Sequence, residues 1–198
     1  MIQIFDDVFT SKEVWWMDRY LTHFDGWQFI FDDTEDQLAT TFSLGRVIDK
    51  PNFGPFEKFL VRILNSRISN DIPDFHRAVY NAFRCGDSPA LHIDGEFDGA
   101  ITLMVYTNFQ WKPDWGGETV FYKDGECIDI VVPKPGRVVI FPGNELHGAK
   151  APNAGINSPA RFSVALQYCP GQTEEMYYHA ESQPKNTRPF PPIEYVSE

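Results

Sequence analysis

Two residues in the stretch LHIDGEFDG, His92 and Asp94, are spaced to share a metal ion. In an extended segment, residues i and i+2 project from the same face, so an imidazole and a carboxylate can converge while Ile93 turns the other way. The spacing alone is weak evidence. With five histidines and 28 acids among 198 residues, chance gives roughly 0.7 such matches per chain.

A third candidate ligand strengthens the pattern. VVIFPGNELHGAK places His147 after a strand-like run and a Pro-Gly turn. Two imidazoles and one carboxylate form the donor set of non-haem Fe(II) centres, which leave positions open for substrate and oxygen. The remaining histidines fit less well: His23 ends a helical stretch, His76 precedes a strand, and His179 lies near the C-terminus. A fourth element sits in ARFSVALQY, where strict alternation puts Arg161, Ser163, Ala165 and Gln167 on one face. Phe162, Val164, Leu166 and Tyr168 take the opposite, core-forming face. An interior guanidinium needs an anionic partner, and its fork suits a carboxylate, with the Ser163 hydroxyl as a further donor.

Positioning these groups requires a scaffold, and its outline can be read along the chain. Thr10 and Glu13 form a capping box ahead of SKEVWWMDRYLTHF, which predicts a helix over 10–23. WQFIF predicts a strand at 27–31. In PFEKFLVRILNSRI, the stripe Phe56, Phe59, Leu60, Ile63 and Leu64 predicts a second helix over 55–68. From residue 76, short β-branched and aromatic runs alternate with Gly, Pro, Asp and Asn: HRAVYNAF, ALHID, AITLMVYT, ETVFYK, CIDIVV, RVVIF and RFSVALQY. Such a series predicts a β-sandwich or barrel with the helices packed outside it. The expected organisation is one domain over 1–198: a helical support region at 1–75, a jelly-roll core at 76–169, and a surface tail from 170 to 198.

Composition narrows the possible functions. A net charge of −11 repels phosphate backbones and argues against nucleic acid as a partner. There is no apolar run long enough for a membrane span and no signal-peptide pattern at the N-terminus. Cys85, Cys127 and Cys169 are odd in number and widely spaced, which suggests reduced thiols and a cytoplasmic location. Oligomeric state is not legible.

HID (92–94), WGGETVFY (115–122), PGRVVIFPGNELHGA (135–149) and RFS (161–163), in this order, resemble the Fe(II)/2-oxoglutarate-dependent dioxygenases, in particular the prolyl-4-hydroxylase-like branch. The resemblance spans about residues 76–169. It implies a mainly β fold, the double-stranded β-helix or cupin-like jelly roll, with flanking helices. It also implies Fe(II) held by His92, Asp94 and His147, and 2-oxoglutarate with its C5 carboxylate on Arg161 and Ser163. O2 would be the oxidant, with ascorbate as a supporting reductant. The implied reaction hydroxylates a substrate C–H and releases succinate and CO2. In YNAFRCGD, the spacing from His92 puts Phe83 where relatives often place a Tyr over the cosubstrate, so Asn81 or Tyr80 is expected to supply that contact, Asn81 being favoured as the same-face neighbour of Phe83. Prolyl hydroxylases often use Lys where Arg161 stands. Trp111, Trp115 and Tyr122 are candidates for walls of the substrate mouth. The favoured substrate is a prolyl residue in a peptide or protein. Alternatives are a free amino acid, a small metabolite or a nucleobase, or a non-enzymatic cupin-like metal- or sugar-binding module, which would have no need of the Arg161–Ser163 pair.

Overall fold

The computed structural model describes residues 1–30, 43–69, 72–87, 89–153 and 159–170. In chain order the elements are β1 (Gln3–Phe5), α1 (Ser11–Thr22), β2 (Gln28–Ile30), β3 (Ser43–Asp49), α2 (Pro55–Arg67), β4 (Arg77–Phe83) and β5 (Ile101–Tyr106). They continue with β6 (Thr119–Lys123), β7 (Glu126–Val131), β8 (Val138–Pro142), β9 (Leu146–Ala149) and β10 (Arg161–Tyr168). Seven strands form one antiparallel sheet in the order β1-β8-β5-β10-β4-β3-β2, and three form a second in the order β7-β6-β9.

Both expected helices are present. Thr10 caps α1 with both hydrogen bonds of the box: its hydroxyl accepts from the Glu13 N–H at 3.3 Å, and its own N–H donates to Glu13 Oε2 at 2.7 Å. The buried faces of α1 (Val14, Met17, Leu21) and α2 (Phe56, Leu60, Ile63, Leu64) recur at three- and four-residue intervals. They pack on Ala78 and Tyr80 of β4, Leu103 and Val105 of β5, Val138 of β8, and Val164 and Leu166 of β10. A second cluster lies between the sheets: Met104, Tyr106, Val139 and Phe141 meet Phe121 and Val131 of the small sheet. The large sheet is therefore covered on both faces, and alternation along each strand sorts side chains between the helical layer and the inter-sheet space.

Two expectations need correction. Residues 1–75 are not only helical, because β1, β2 and β3 pair into the large sheet. ALHID is not a strand: only His92 pairs, in an isolated bridge to His147, because the chain turns at Asp94–Gly95, whose two N–H groups both donate to Gly143 O. His147 follows the expected strand and Pro-Gly turn, and it lies in the next strand, β9. The tail from 171 onward falls outside the described residues.

Candidate active site

The inter-sheet space opens into a cavity lined by Asn81, Phe83, His92, Asp94, Met104, Thr119, His147, Arg161, Ser163 and Gln167, among others. At its mouth, ligand atoms of His92, Asp94 and His147 lie within 4.8 Å of one another, the only such trio of His, Cys, Asp or Glu among the described residues. Each imidazole Nε2 is 3.6 Å from an Asp94 carboxylate oxygen. Each Nδ1 faces a backbone carbonyl, Ala90 O at 3.0 Å for His92 and Glu145 O at 2.9 Å for His147. A carbonyl only accepts, so this contact assigns a proton to Nδ1 of each ring and leaves Nε2 as the atom turned to the shared centre. Burial pushes the His147 pKa down and keeps the ring neutral. Burial alone would raise that of Asp94, but its contacts with His92, His147 and Thr102 outweigh it and hold the carboxyl below its ordinary value. Two imidazoles and one carboxylate fit a divalent iron ion.

Deeper in the cavity, Arg161 is 1% exposed. Its guanidinium donates to Ser163 Oγ at 3.2 Å and to Thr119 Oγ1 at 2.7 Å. The Tyr106 ring lies under it at 4.8 Å and the Phe83 ring at 5.4 Å. Its Nε has no hydrogen-bond partner, and none of the ion pairs among the described residues involves it. An unneutralised buried cation is costly in a folded protein. This one presents its charge to a cavity whose other end carries the His/Asp cluster, so a dicarboxylate spanning the two would neutralise it.

The structure brings together His92, Asp94, His147, Arg161, Ser163, Asn81 and Phe83. It does not bring Tyr80. Tyr80 points to the helical layer, fully buried, and its hydroxyl donates to Glu57 of α2; alternation along β4 leaves the cavity to Asn81 and Phe83. Nor do the three expected aromatic walls reach the cavity lining. Trp111 and Trp115 pack edge to face at 5.4 Å, with Trp111 behind Gly117. Sequence reasoning missed Thr119 and Tyr106, whose hydroxyls share a 2.7 Å hydrogen bond. The Thr of GGET carried a signal for the first; nothing distinguished Tyr106 from an ordinary core tyrosine.

Residues 75–168 match the family described as the 2OG-Fe(II) oxygenase superfamily. That segment, just under half of the chain, is what resembles the superfamily. Among solved structures, a prolyl-4-hydroxylase from Pseudomonas putida is similar, with a TM-score of 0.58 at 16% identity, covering 84% of this chain and 91% of that one. A prolyl hydroxylase from Trichoplax adhaerens, in complex with a hypoxia inducible factor oxygen degradation domain peptide fragment, gives 0.61 at 16% identity, covering 92% and 87%. The non-heme alpha ketoglutarate dependent carbocyclase SnoK from nogalamycin biosynthesis gives 0.62 at 10% identity, covering 90% and 85%. No curated protein matches. These likenesses establish the fold, the double-stranded β-helix of 2OG oxygenases, and the oxygenase family carries Fe(II), 2-oxoglutarate and O2 as its cofactors. Neighbours with dissimilar reactions share the scaffold, so substrate choice resides in the side chains around it. No helix among the described residues is long and apolar enough to cross a membrane.

Proposed function

We propose that this oxygenase holds iron through His92, Asp94 and His147, and that it binds 2-oxoglutarate with the C5 carboxylate on Arg161, Ser163 and Thr119. The observation that carries the reading is the buried Arg161, which has no carboxylate partner among the described residues and faces the histidine–carboxylate cluster. Loaded in this way, the cofactors supply oxidation of an unactivated C–H bond. The chain's part is to orient them and keep water away: Arg161 neutralises and aligns the cosubstrate, Phe83 and Met104 shield it, and His92, 48% exposed at its side chain, marks the side from which substrate enters. Asn81 is the remaining polar contact at the position where Phe83 offers none. Residues 1–198 act in this reading as one oxygenase domain, located in the cytoplasm, where the free thiols of Cys85, Cys127 and Cys169 would persist.

The proposed substrate is a prolyl residue in a polypeptide. Support comes from the likeness to two prolyl hydroxylases, one of them bound to a peptide, and from an apolar rim beside His92 formed by the exposed Leu91, Ile93 and Phe97. Extended prolyl chains lose little conformational entropy on docking to such a surface. The test is mass spectrometry of proline-rich peptides incubated with Fe(II), ascorbate and 2-oxoglutarate. A gain of one oxygen on proline that needs 2-oxoglutarate and vanishes in His92→Ala supports the proposal. Succinate release that responds to amino acids or other metabolites, and never to prolyl peptides, transfers the reading to a small-molecule substrate.

A further inference from the structure

Asp94 occupies irregular backbone, yet a metal ligand must be held to within a few tenths of an ångström. The large sheet supplies the missing support. Arg77 of β4, Gln167 of β10 and Thr102 of β5 form one cross-strand row, with Arg77 opposite Gln167 and Gln167 opposite Thr102. Thr102, 1% exposed, donates its hydroxyl to Asp94 Oδ2 at 2.6 Å. Arg77 donates to Gln167 Oε1 and, at 3.4 Å, to the Asp94 carbonyl. On the far side the Asp94 N–H donates to Gly143 O at 2.8 Å.

Both carboxylate oxygens lie 3.6 Å from a histidine Nε2, Oδ1 from that of His92 and Oδ2 from that of His147. We propose that Thr102 is the positioning residue for the metal-binding carboxylate, its hydroxyl claiming Oδ2 and so leaving Oδ1 as the oxygen free for the metal, while Arg77, oriented by Gln167, fixes the Asp94 backbone. This rests on the reading of His92, Asp94 and His147 as the iron site. A hydroxyl-bound carboxylate oxygen gives up a lone pair to the donor and cannot turn freely toward the ion. The carboxylate is then preset for one-oxygen ligation, which leaves room in the coordination sphere for a chelating cosubstrate and O2. Valine at 102 keeps the shape of threonine and deletes the donor; serine keeps the donor.

The experiment titrates Co(II), followed by visible absorption, into wild type, Thr102→Val, Thr102→Ser and Asp94→Ala. Thr102→Val should bind Co(II) about 10- to 100-fold more weakly with an altered spectrum, and Thr102→Ser within about threefold of wild type, the span measured for ligand-supporting residues. Wild-type affinity and spectrum in Thr102→Val, with binding lost in Asp94→Ala, overturns the role of Thr102 alone. Undiminished binding in Asp94→Ala overturns the iron-site reading itself. A crystal structure of the wild-type Co(II) protein tests the same point without a variant. It should show Thr102 Oγ1 hydrogen-bonded to the Asp94 oxygen that does not touch cobalt, and a two-oxygen Asp94 ligand or a hydroxyl turned away would sink the proposal.

Discussion

At the scale of single residues, the site depends on a buried cation that has no acidic partner among the described residues. Arg161→Ala should weaken 2-oxoglutarate binding by roughly 30- to 1000-fold, the loss of about 2–4 kcal/mol for a charge-assisted contact. Arg161→Lys should recover only part, since an ammonium lacks the fork. Calorimetric titration of 2-oxoglutarate into the Mn(II)-loaded protein measures both, and wild-type affinity in the alanine variant would place the anchor elsewhere. Thr119→Val addresses the smaller contact. It leaves an Arg161 nitrogen and the Tyr106 hydroxyl each short of a partner and should cost about tenfold in the same titration. The main chemical groups were legible because they are rare and strictly spaced: a His/Asp pair at i and i+2, and an Arg on an alternating strand. Of the two candidates for the contact beside Phe83, strand parity favours Asn81, and the same parity sends Tyr80 to Glu57 in the helical layer. Thr102 carried no signal, since a threonine on a strand gains its meaning only from what lies beside it in the sheet; alternation put Gln167 on the face of Arg161, but its contact with Arg77 was not legible.

At the scale of elements, the turn that enters β6 carries more of the site than its length suggests. Gly116 and Gly117 both have positive φ, 70° and 80°. A Cβ on Gly117 would come 3.0 Å from Trp111 Cζ2 and 3.2 Å from Arg161 Cδ. Gly117→Ala therefore combines backbone strain with displacement of the guanidinium. We expect a destabilisation of about 1–3 kcal/mol, seen as a lower melting temperature, together with weaker 2-oxoglutarate binding. A variant with wild-type melting and wild-type affinity would show that the turn tolerates a side chain. The helices were readable from their caps and stripes, and most strands from β-branched runs between turn residues. SLGRVID, the later β3, was missed because Gly45 and Arg46 interrupt its apolar pattern; its stability comes from pairing with β2 and β4 on either side. ALHID had strand composition, but the double hydrogen bond to Gly143 turns the chain before a ladder can form.

For the molecule as a whole, acid should erode stability in two stages. His76 is buried, and desolvation with the neighbouring Arg77 lowers its pKa to about 4. Unfolded chains take up that proton near pH 6.5. Between about pH 6.5 and 4 the unfolded state binds more protons than the folded one, so stability falls as pH falls, by at most about 3 kcal/mol from this group. Asp6, hydrogen-bonded to Arg137 and Lys134, and Glu13, hydrogen-bonded to Arg67, are each lowered to about 2. Their contribution is present above about pH 4 and is lost from there down to about pH 2; both pairs are partly exposed, so screening keeps it small. Melting temperatures of metal-free wild type and His76→Gln should draw together as pH drops from 6.5 to 4, with the later decline common to both. Parallel curves over that upper window would show that His76 does not set the first stage.

The sheet order also has a consequence for synthesis. β10 is the last strand of the described chain and lies at the middle of the large sheet, between β5 and β4. Until it emerges from the ribosome, the sheet exists as two separate halves, β1-β8-β5 and β4-β3-β2, each with an open edge able to pair with a neighbouring nascent chain. Folding is therefore held back until residue 168 is available, and the strand that joins the halves is the one that delivers Arg161 and Ser163. A ribosome-stalled chain ending at residue 160 should remain protease-sensitive and prone to association, whereas one with residues 161–170 clear of the exit tunnel should become resistant in a single step.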